Sequence, residues 1–479
     1  MKLRGAGCAL AIAAATLAAP VHTTASASGL PSPECVARTV PISQGPARLR
    51  RDQLADGHHG RLHLLTLSSP ALGGATHVYV LLPKQHTTAS RRRFHVLYLL
   101  HGASDDYRSW VQNGAQQLIE RATRKTHEPF ITVMPDAGYF GFYTDWYGTD
   151  VDQSEGVAPA WSTYDIHELI PLIDSRYRTV ARRGGRAVAG FSMGGFGATS
   201  LAARDPGLFS VVGTVSGIVD TDLDSPTFNL LVDGLSPTFT GTPPDLCVFG
   251  DPLTHQIGWE ASDPAYLAPD LKRTGLYVTT GNGVPGPLDS TAPADLPYTT
   301  ERAAIEALIS VTNQGFLKSL NAAQVTHTTD LYGAGTHTWA YWQRDLSRFV
   351  PFLARSWRHP DPAPRSFNDR NAATSFQAWG WHFTAQRAVE EFTYLRDVSK
   401  RGLQVAGSGT LHVVTAADYS PGSHWRVAGH AATAGPGGRL RFAITMPDHT
   451  VQQTSFPAGS AIPSGWHWVE VGIRPATAN

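Results

Sequence analysis

The sequence is short of three things, and each shortage removes a class of function. It has 3 cysteines in 479 residues, Cys8, Cys35 and Cys247, and none stands in a metal-ligand spacing. It has no excess of charge, with 39 Lys and Arg balancing 39 Asp and Glu. The one basic run, Arg91-Arg92-Arg93, reads as a solvated turn, so neither nucleic acid nor a strongly acidic partner is indicated. Beyond the N-terminus no segment approaches the ~18 uninterrupted apolar residues of a transmembrane helix, so no membrane anchor is expected in the mature chain. What remains is 42% hydrophobic and 16% charged, a balance suited to a packed globular protein. The length favours more than one domain.

The N-terminus carries Lys2 and Arg4, an apolar run from Cys8 to Ala19, and then Ala25-Ser26-Ala27. These are the parts of a secretory signal with a small-x-small cleavage site, expected to span residues 1–27. Cys8 stands at the start of the apolar run rather than after it, and so does not mark lipid attachment. Removal of the signal leaves Cys35 and Cys247, which an oxidising compartment would join in one disulfide; two buried free thiols are the alternative.

The chain is organised around Gly190-Phe191-Ser192-Met193-Gly194-Gly195. An apolar run, Ala187-Val188-Ala189, precedes it, and a helix-like segment, Phe196 to Ala203, follows. Strand, sharp turn and helix make the context in which Gly-x-Ser-x-Gly is a nucleophile elbow. Its glycines lie where a Cβ would strike neighbouring backbone, and the following helix N-terminus favours developing negative charge. By itself the motif is also compatible with a plain Gly-rich turn.

The flanking pattern alternates strands with helices. Strands are expected at Arg61–Leu67, His77–Leu82, Phe94–Leu100, Phe130–Pro135, Val211–Ser216, Gly275–Gly281 and Val325–Tyr332, with a helix from about Thr299 to Leu320. This predicts an α/β-hydrolase fold, a mostly parallel sheet flanked by helices with its active loops at the strand C-termini. The loop His101-Gly102-Ala103 can supply one backbone N–H to an oxyanion hole, and Met193 the other. His101 itself reads as packed and hydrogen-bonded. Past His359 the Pro360-Asp361-Pro362-Ala363-Pro364 stretch reads as a stiff linker, followed by short strands between Gly/Pro turns. The expected division is therefore a hydrolase domain at 28–358, a linker at 359–375 and a C-terminal all-β, sandwich-like domain at 376–479.

A serine hydroxyl needs a histidine to take its proton and a carboxylate to orient that histidine. Gly335-Thr336-His337-Thr338-Trp339 places His337 in a loop directly after the last strand, later in the chain than the nucleophile. The acid is open between Asp289, Asp295, Glu301 and Glu306; Asp289 lies closest to a strand end.

Several segments together carry a resemblance: Asp105-Asp106-Tyr107, Phe142-Tyr143-Thr144-Asp145-Trp146-Tyr147, Gly281-Asn282-Gly283 and Gly335 to Trp342. Over about Leu62 to Phe352 the chain resembles the secreted antigen 85 mycolyltransferases, within the esterase D-like α/β-hydrolases. In that family the acid is a glutamate followed by asparagine and phenylalanine seven and ten residues on, a spacing found here at Glu306, Asn313 and Phe316. The resemblance thus implies Glu306 as the acid, with Ala103 and Met193 as oxyanion donors. The family carries aspartate at the position of His101 and an arginine soon after Gly102 that helps hold trehalose. This chain reads His101-Gly102-Ala103-Ser104-Asp105 and also lacks the cysteine pair found after the aromatic loop of some members.

The expected function is a secreted, serine-dependent acyl-transfer enzyme, cell-wall associated or free, that needs no cofactor. Its partners would be an acyl ester donor and a lipid or sugar alcohol, or water, with trehalose a poor acceptor. Asp145, Trp146 and Trp339 are expected to bind substrate, and the C-terminal domain to carry a cell-envelope ligand. A plain carboxylesterase and a non-catalytic wall-binding protein are the alternatives.

Overall fold

A computed structural model describes residues 35–476 apart from 40, 56–60, 89–90, 151–157, 222–246, 252–253, 452 and 454–461. The expected export signal at residues 1–27 lies outside the described residues. The part up to Arg358 contains strands β1 (Cys35–Ala37), β2 (Arg48–Leu54), β3 (Leu62–Ser69), β4 (Gly74–Leu81), β5 (His95–Leu100), β6 (Phe130–Pro135), β7 (Gly148–Asp150), β8 (Arg186–Phe191), β9 (Val211–Val215), β10 (Gly275–Thr280) and β11 (His327–Leu331). Nine of these form one sheet in the order β11-β10-β9-β8-β5-β6-β4-β3-β2. Pairing is parallel from β6 through β5, β8, β9 and β10 to β11, and antiparallel among β2, β3, β4 and β6.

The strand period of two sorts the side chains between the two faces. On β5, Val96, Tyr98 and Leu100 join one core, while Leu97 and Leu99 join the other. The helices Met193–Arg204 and Leu296–Ala322 contribute Phe196, Leu201, Phe316 and Leu320 to the first. The helices Ala115–Thr126 and Trp339–Arg358 contribute Leu118, Ile119, Leu346 and Phe349 to the second. Burial on both faces is why these strands read as continuous apolar runs. A mixed sheet covered on both faces, with loops gathered at the C-terminal ends of its parallel strands, is an α/β-hydrolase-type fold.

Strand β2, Arg-Leu-Arg-Arg-Asp-Gln-Leu, has no counterpart in the sequence reading. It is an edge strand with mostly exposed or half-exposed residues, and charge there keeps an open edge from pairing with another chain. Strand β1 pairs with β7, and Cys35 is joined to Cys247 with their Cα atoms 5.2 Å apart. The Arg38 guanidinium then donates to the carbonyls of Trp146 at 3.1 Å and Ala158 at 2.9 Å. The leader is thus stitched to the end of the aromatic loop.

The helix Trp339–Arg358 closes this part, and beyond it ten strands among the described residues, between Phe367 and Pro475, form antiparallel sheets of six and four strands. One core, including Phe383, Val405 and Leu411, lies between them. The strand Phe367–Asn371 falls inside the stretch expected as linker, 359–375. Its sequence, Phe-Asn-Asp-Arg-Asn, has no apolar alternation because its buried residues are polar ones. These strands pack on the part before them: Trp379 N–H donates to Pro206 O at 2.6 Å, Asn371 Nδ2 to Arg204 O at 2.9 Å and Gln377 Nε2 to Asp205 Oδ2 at 2.6 Å. Phe392, Tyr394 and Ala406 belong to the core that holds the helix Met193–Arg204.

Candidate active site

Strand β8 ends at Phe191, and Ser192 turns the chain into the helix Met193–Arg204 with φ 53° and ψ −124°. This is a strained conformation for a residue with a Cβ, and it is held from outside. Ser192 N–H donates to Val215 O at 3.0 Å, and the two motif glycines let the turn close. A Cβ on Gly190 would stand 2.4 Å from the Gly194 carbonyl, and one on Gly194 would stand 2.5 Å from His101 O. The second of these contacts presses the elbow against the end of β5, where the His101-Gly102-Ala103 loop begins.

His337 follows β11 and is buried, its N–H donating to Arg302 O at 3.1 Å. Its Nε2 lies 3.0 Å from Ser192 Oγ and its Nδ1 2.7 Å from Glu306 Oε2. A hydroxyl, an imidazole and a carboxylate from three separate elements thus form one hydrogen-bonded line. The other carboxylate oxygen, Oε1, accepts from Ser216 Oγ at 2.7 Å, Thr280 Oγ1 at 2.9 Å and Gly281 N at 2.8 Å. Burial alone would raise the Glu306 pKa, but the bond and charge of His337 and these further donors outweigh it and hold the carboxyl below its ordinary value. Glu306 is therefore ionised while fully buried, fit to orient and stabilise an imidazolium.

The helix Leu296–Ala322 presents Glu306, Asn313 and Phe316 on one stripe, as spacings of seven and ten residues require. All three are buried, and Asn313 Nδ2 donates to Gly217 O at 2.8 Å, beside Ser216. Asp289, the strand-end rival, does other work. It accepts from Thr336 Oγ1, from Gly286 N at 2.7 Å and from Tyr341 Oη at 3.0 Å, and so braces the His337 loop on both sides. Glu301 faces Arg302 at 3.8 Å at the surface.

The backbone N–H groups of Ala103 and Met193 have no acceptor among the described residues. They lie at the start of the β5 loop and at the first turn of the nucleophile helix. Trp339 packs into the aromatic cluster behind the elbow, its ring centroid 4.7 Å from Phe191, 5.3 Å from Trp110 and 5.1 Å from Trp342, and it is the Trp342 ring that meets His337, edge-on at 4.9 Å. Asp145 and Trp146 are committed elsewhere. The Asp145 carboxylate accepts from Thr163 N at 2.9 Å and Thr163 Oγ1 at 2.8 Å, and Trp146 Nε1 donates to Gly141 O at 3.2 Å. Both therefore shape the aromatic loop. Ser216 and Thr280, which complete the carboxylate's bonds, carry no local motif; their one signal is their place at the ends of parallel strands.

The family described as putative esterases matches residues 69–353. The chain belongs to this esterase family. Among relatives, an esterase of Mycobacterium tuberculosis is 35% identical over 227 residues, 46% of each chain. The diacylglycerol acyltransferase/mycolyltransferase Ag85B of Mycolicibacterium smegmatis is 31% identical over 267 residues, 54% of this chain and 77% of that one. The chain thus spans about half the length of the first of these relatives. Among solved structures, MPT51 of Mycobacterium tuberculosis shares 22% identity at a TM-score of 0.48, covering 62% of this chain and 99% of that one. The antigen 85 and esterase relatives agree with the resemblance drawn from the sequence motifs, and such enzymes act on esters.

Proposed function

We propose that the chain is an exported serine acyl-transfer enzyme that forms an acyl-enzyme on Ser192. The observation that carries this reading is the unbroken line from Ser192 Oγ through His337 to Glu306, with bonds of 3.0 and 2.7 Å. Ser192 Oγ attacks the ester carbonyl as His337 Nε2 takes its proton, and Glu306 stabilises the imidazolium. The carbonyl oxygen becomes an oxyanion held by the N–H groups of Ala103 and Met193. Collapse of the tetrahedral intermediate breaks the ester C–O bond, and His337 returns the proton to the departing alcohol. A second alcohol, or water, then repeats the sequence in reverse and frees Ser192. The Cys35–Cys247 bridge is in keeping with export to an oxidising compartment.

Whether alcohol or water discharges the acyl group depends on how well the site holds a hydroxyl in line with the acyl carbonyl. Transfer to a lipid or sugar alcohol, with hydrolysis competing, is the reading we favour. The aromatic cluster of Trp339 and Trp342, the second of which meets His337 edge-on at 4.9 Å, would offer an apolar surface to such an acceptor. The strands beyond Phe367 would hold a cell-envelope ligand. Ser192→Ala is expected to abolish fluorophosphonate labelling and to lower ester cleavage by on the order of 10⁴ to 10⁶. A variant keeping a tenth of wild-type activity would refute the mechanism. Product analysis with one donor ester and water, trehalose, glycerol or a monoacylglycerol as acceptors then separates transfer from hydrolysis.

A further inference from the structure

The two oxyanion donors proposed above come from different elements, Ala103 from the loop after β5 and Met193 from the nucleophile helix. An oxyanion hole works only when both N–H groups converge on one oxygen, so something must set their spacing. The loop between β6 and β7 touches both. Phe142 N–H donates to Met193 Sδ at 3.4 Å. Tyr143 Oη accepts from His101 N at 2.8 Å and donates to His101 O at 3.0 Å, so one hydroxyl grips both backbone groups of His101.

The same loop adds two further ties. Ala137 N–H donates to His101 Nε2 at 3.0 Å, and Ser104 N–H donates to Tyr139 O at 2.8 Å. An imidazole that accepts at Nε2 carries its proton on Nδ1, which lies 2.8 Å from Gly102 O and donates to it. Residues 101 and 104 are thus pinned on either side of Gly102-Ala103. The pinning loop is itself strained. Phe142 and Tyr143 are consecutive non-glycine residues with φ of 49° and 53°, a conformation costing each ~1 kcal/mol or more. The Tyr143 ring is fully buried against the nucleophile helix, where a Cβ on Gly197 would lie 2.3 Å from its Cδ2. Burial holds the phenol well above its ordinary pKa, so the hydroxyl remains a donor.

We infer that Tyr143 is a positioning residue of the oxyanion hole: through its hydroxyl clamp on His101, and with Phe142 on Met193, it sets the distance between the Ala103 and Met193 N–H groups. The inference rests on the acyl-transfer reading and adds to it a residue that touches neither substrate nor the reacting atoms. It also accounts for two strained residues in sequence at a place where a relaxed loop would leave the donors unregistered.

The test is Tyr143→Phe, which keeps the ring and removes the hydroxyl. Sites are counted by fluorophosphonate titration so that rates refer to folded enzyme. With a short p-nitrophenyl ester, kcat is expected to fall about 10- to 100-fold while KM changes less than about twofold, as for a group felt in the transition state alone. Affinity for an aryl trifluoromethyl ketone, whose adduct places an oxyanion in the hole, should fall by the same factor, and the pH inflection of the rate should stay where it is. A kcat per titrated site within about twofold of wild type, or a loss confined to KM, would overturn the inference. Should Tyr143→Phe yield no titratable sites, Met193→Leu is scored by the same three measurements, since it removes the Phe142 N–H tie to Sδ and keeps the Met193 backbone N–H. A Ser192→Ala enzyme that remains active would instead remove the underlying mechanism, so the two failures are read from different variants.

Discussion

The nucleophile helix has two ends, and buried carboxylates at the two ends behave in opposite ways. Near its N-terminus, Glu306 is wholly buried and receives His337, Ser216, Thr280 and Gly281, and its pKa is lowered. At its C-terminus the β-strand module packs against Arg204 and Asp205, and three carboxylates are enclosed in the seam. Burial pushes Asp205 and Asp270 up to about 7, against the pull of Gln377 on the first and Arg370 on the second. Asp369 is raised further by burial and by the neighbouring Asp270 and Asp205, and both its oxygens lack a hydrogen-bond partner among the described residues. Burial is common to both ends. What differs is the supply of donors, which decides whether an enclosed carboxyl stays charged for chemistry or is driven toward its neutral form.

The largest effect is expected at the well-supplied end. Glu306→Gln keeps the shape but removes the charge that stabilises the imidazolium, and should lower kcat by on the order of 10³ to 10⁴ in a steady-state ester assay. An equal loss in Asp289→Asn alone would return the acid to the strand-end candidate.

At the seam the effect is on stability and has the opposite pH sense. A carboxyl whose folded pKa is raised stabilises the fold below its unfolded value of about 4 and loses that contribution as pH climbs through its folded value. The lowered carboxyl of Glu306 does the reverse, losing its contribution as pH falls. Unfolding free energy should therefore decline from pH 5 to pH 8 through Asp205, Asp270 and Asp369. Asp369→Asn should flatten that decline and raise stability at pH 8 by about 1–3 kcal/mol. Denaturant titrations at the two pH values measure it, and an unchanged slope would remove the seam from the comparison.

A smaller change makes the site resemble the seam. Ser216→Ala takes one donor from Glu306 Oε1, and a lost bond of about 1 kcal/mol corresponds to a roughly fivefold drop in kcat. The acid limb of the pH–rate profile should move to higher pH, because the carboxyl then protonates more readily. The smallest effect belongs to Asp289→Asn. The amide keeps an acceptor for only part of the Thr336, Gly286 and Tyr341 set, so a few-fold loss of kcat is expected, well below that of Glu306→Gln.

How much of this was legible beforehand can be followed residue by residue. The buried strands β5, β6, β8, β9 and β10 announced themselves as apolar runs because both faces of that sheet are covered. Strand β2 and the strand Phe367–Asn371 did not, being polar segments held by pairing, the first with the next strand β3 and the second with Thr393–Ser399, past two intervening strands. Ser192 and His337 were readable as elbow and post-strand loop. Glu306 was not readable from its surroundings; strand-end proximity favoured Asp289, and family resemblance supplied the glutamate.

The chain's own order thus determined what local chemistry can encode: which stretches must be buried on two faces, where glycines permit a strained serine, and which histidine follows the last strand. Periodicity and turn chemistry act over a few residues and leave their mark there. Only the tertiary structure decided which carboxylate meets His337, because Glu306 and Asp289 compete through Ser216, Thr280, Gly281, Thr336 and Tyr341, contributed by different strand ends and helices. It alone also decided that Tyr143 grips His101, 42 residues away, and that Asp369 would be enclosed without a donor. Such contacts depend on where several elements converge, and no stretch of sequence contains that convergence.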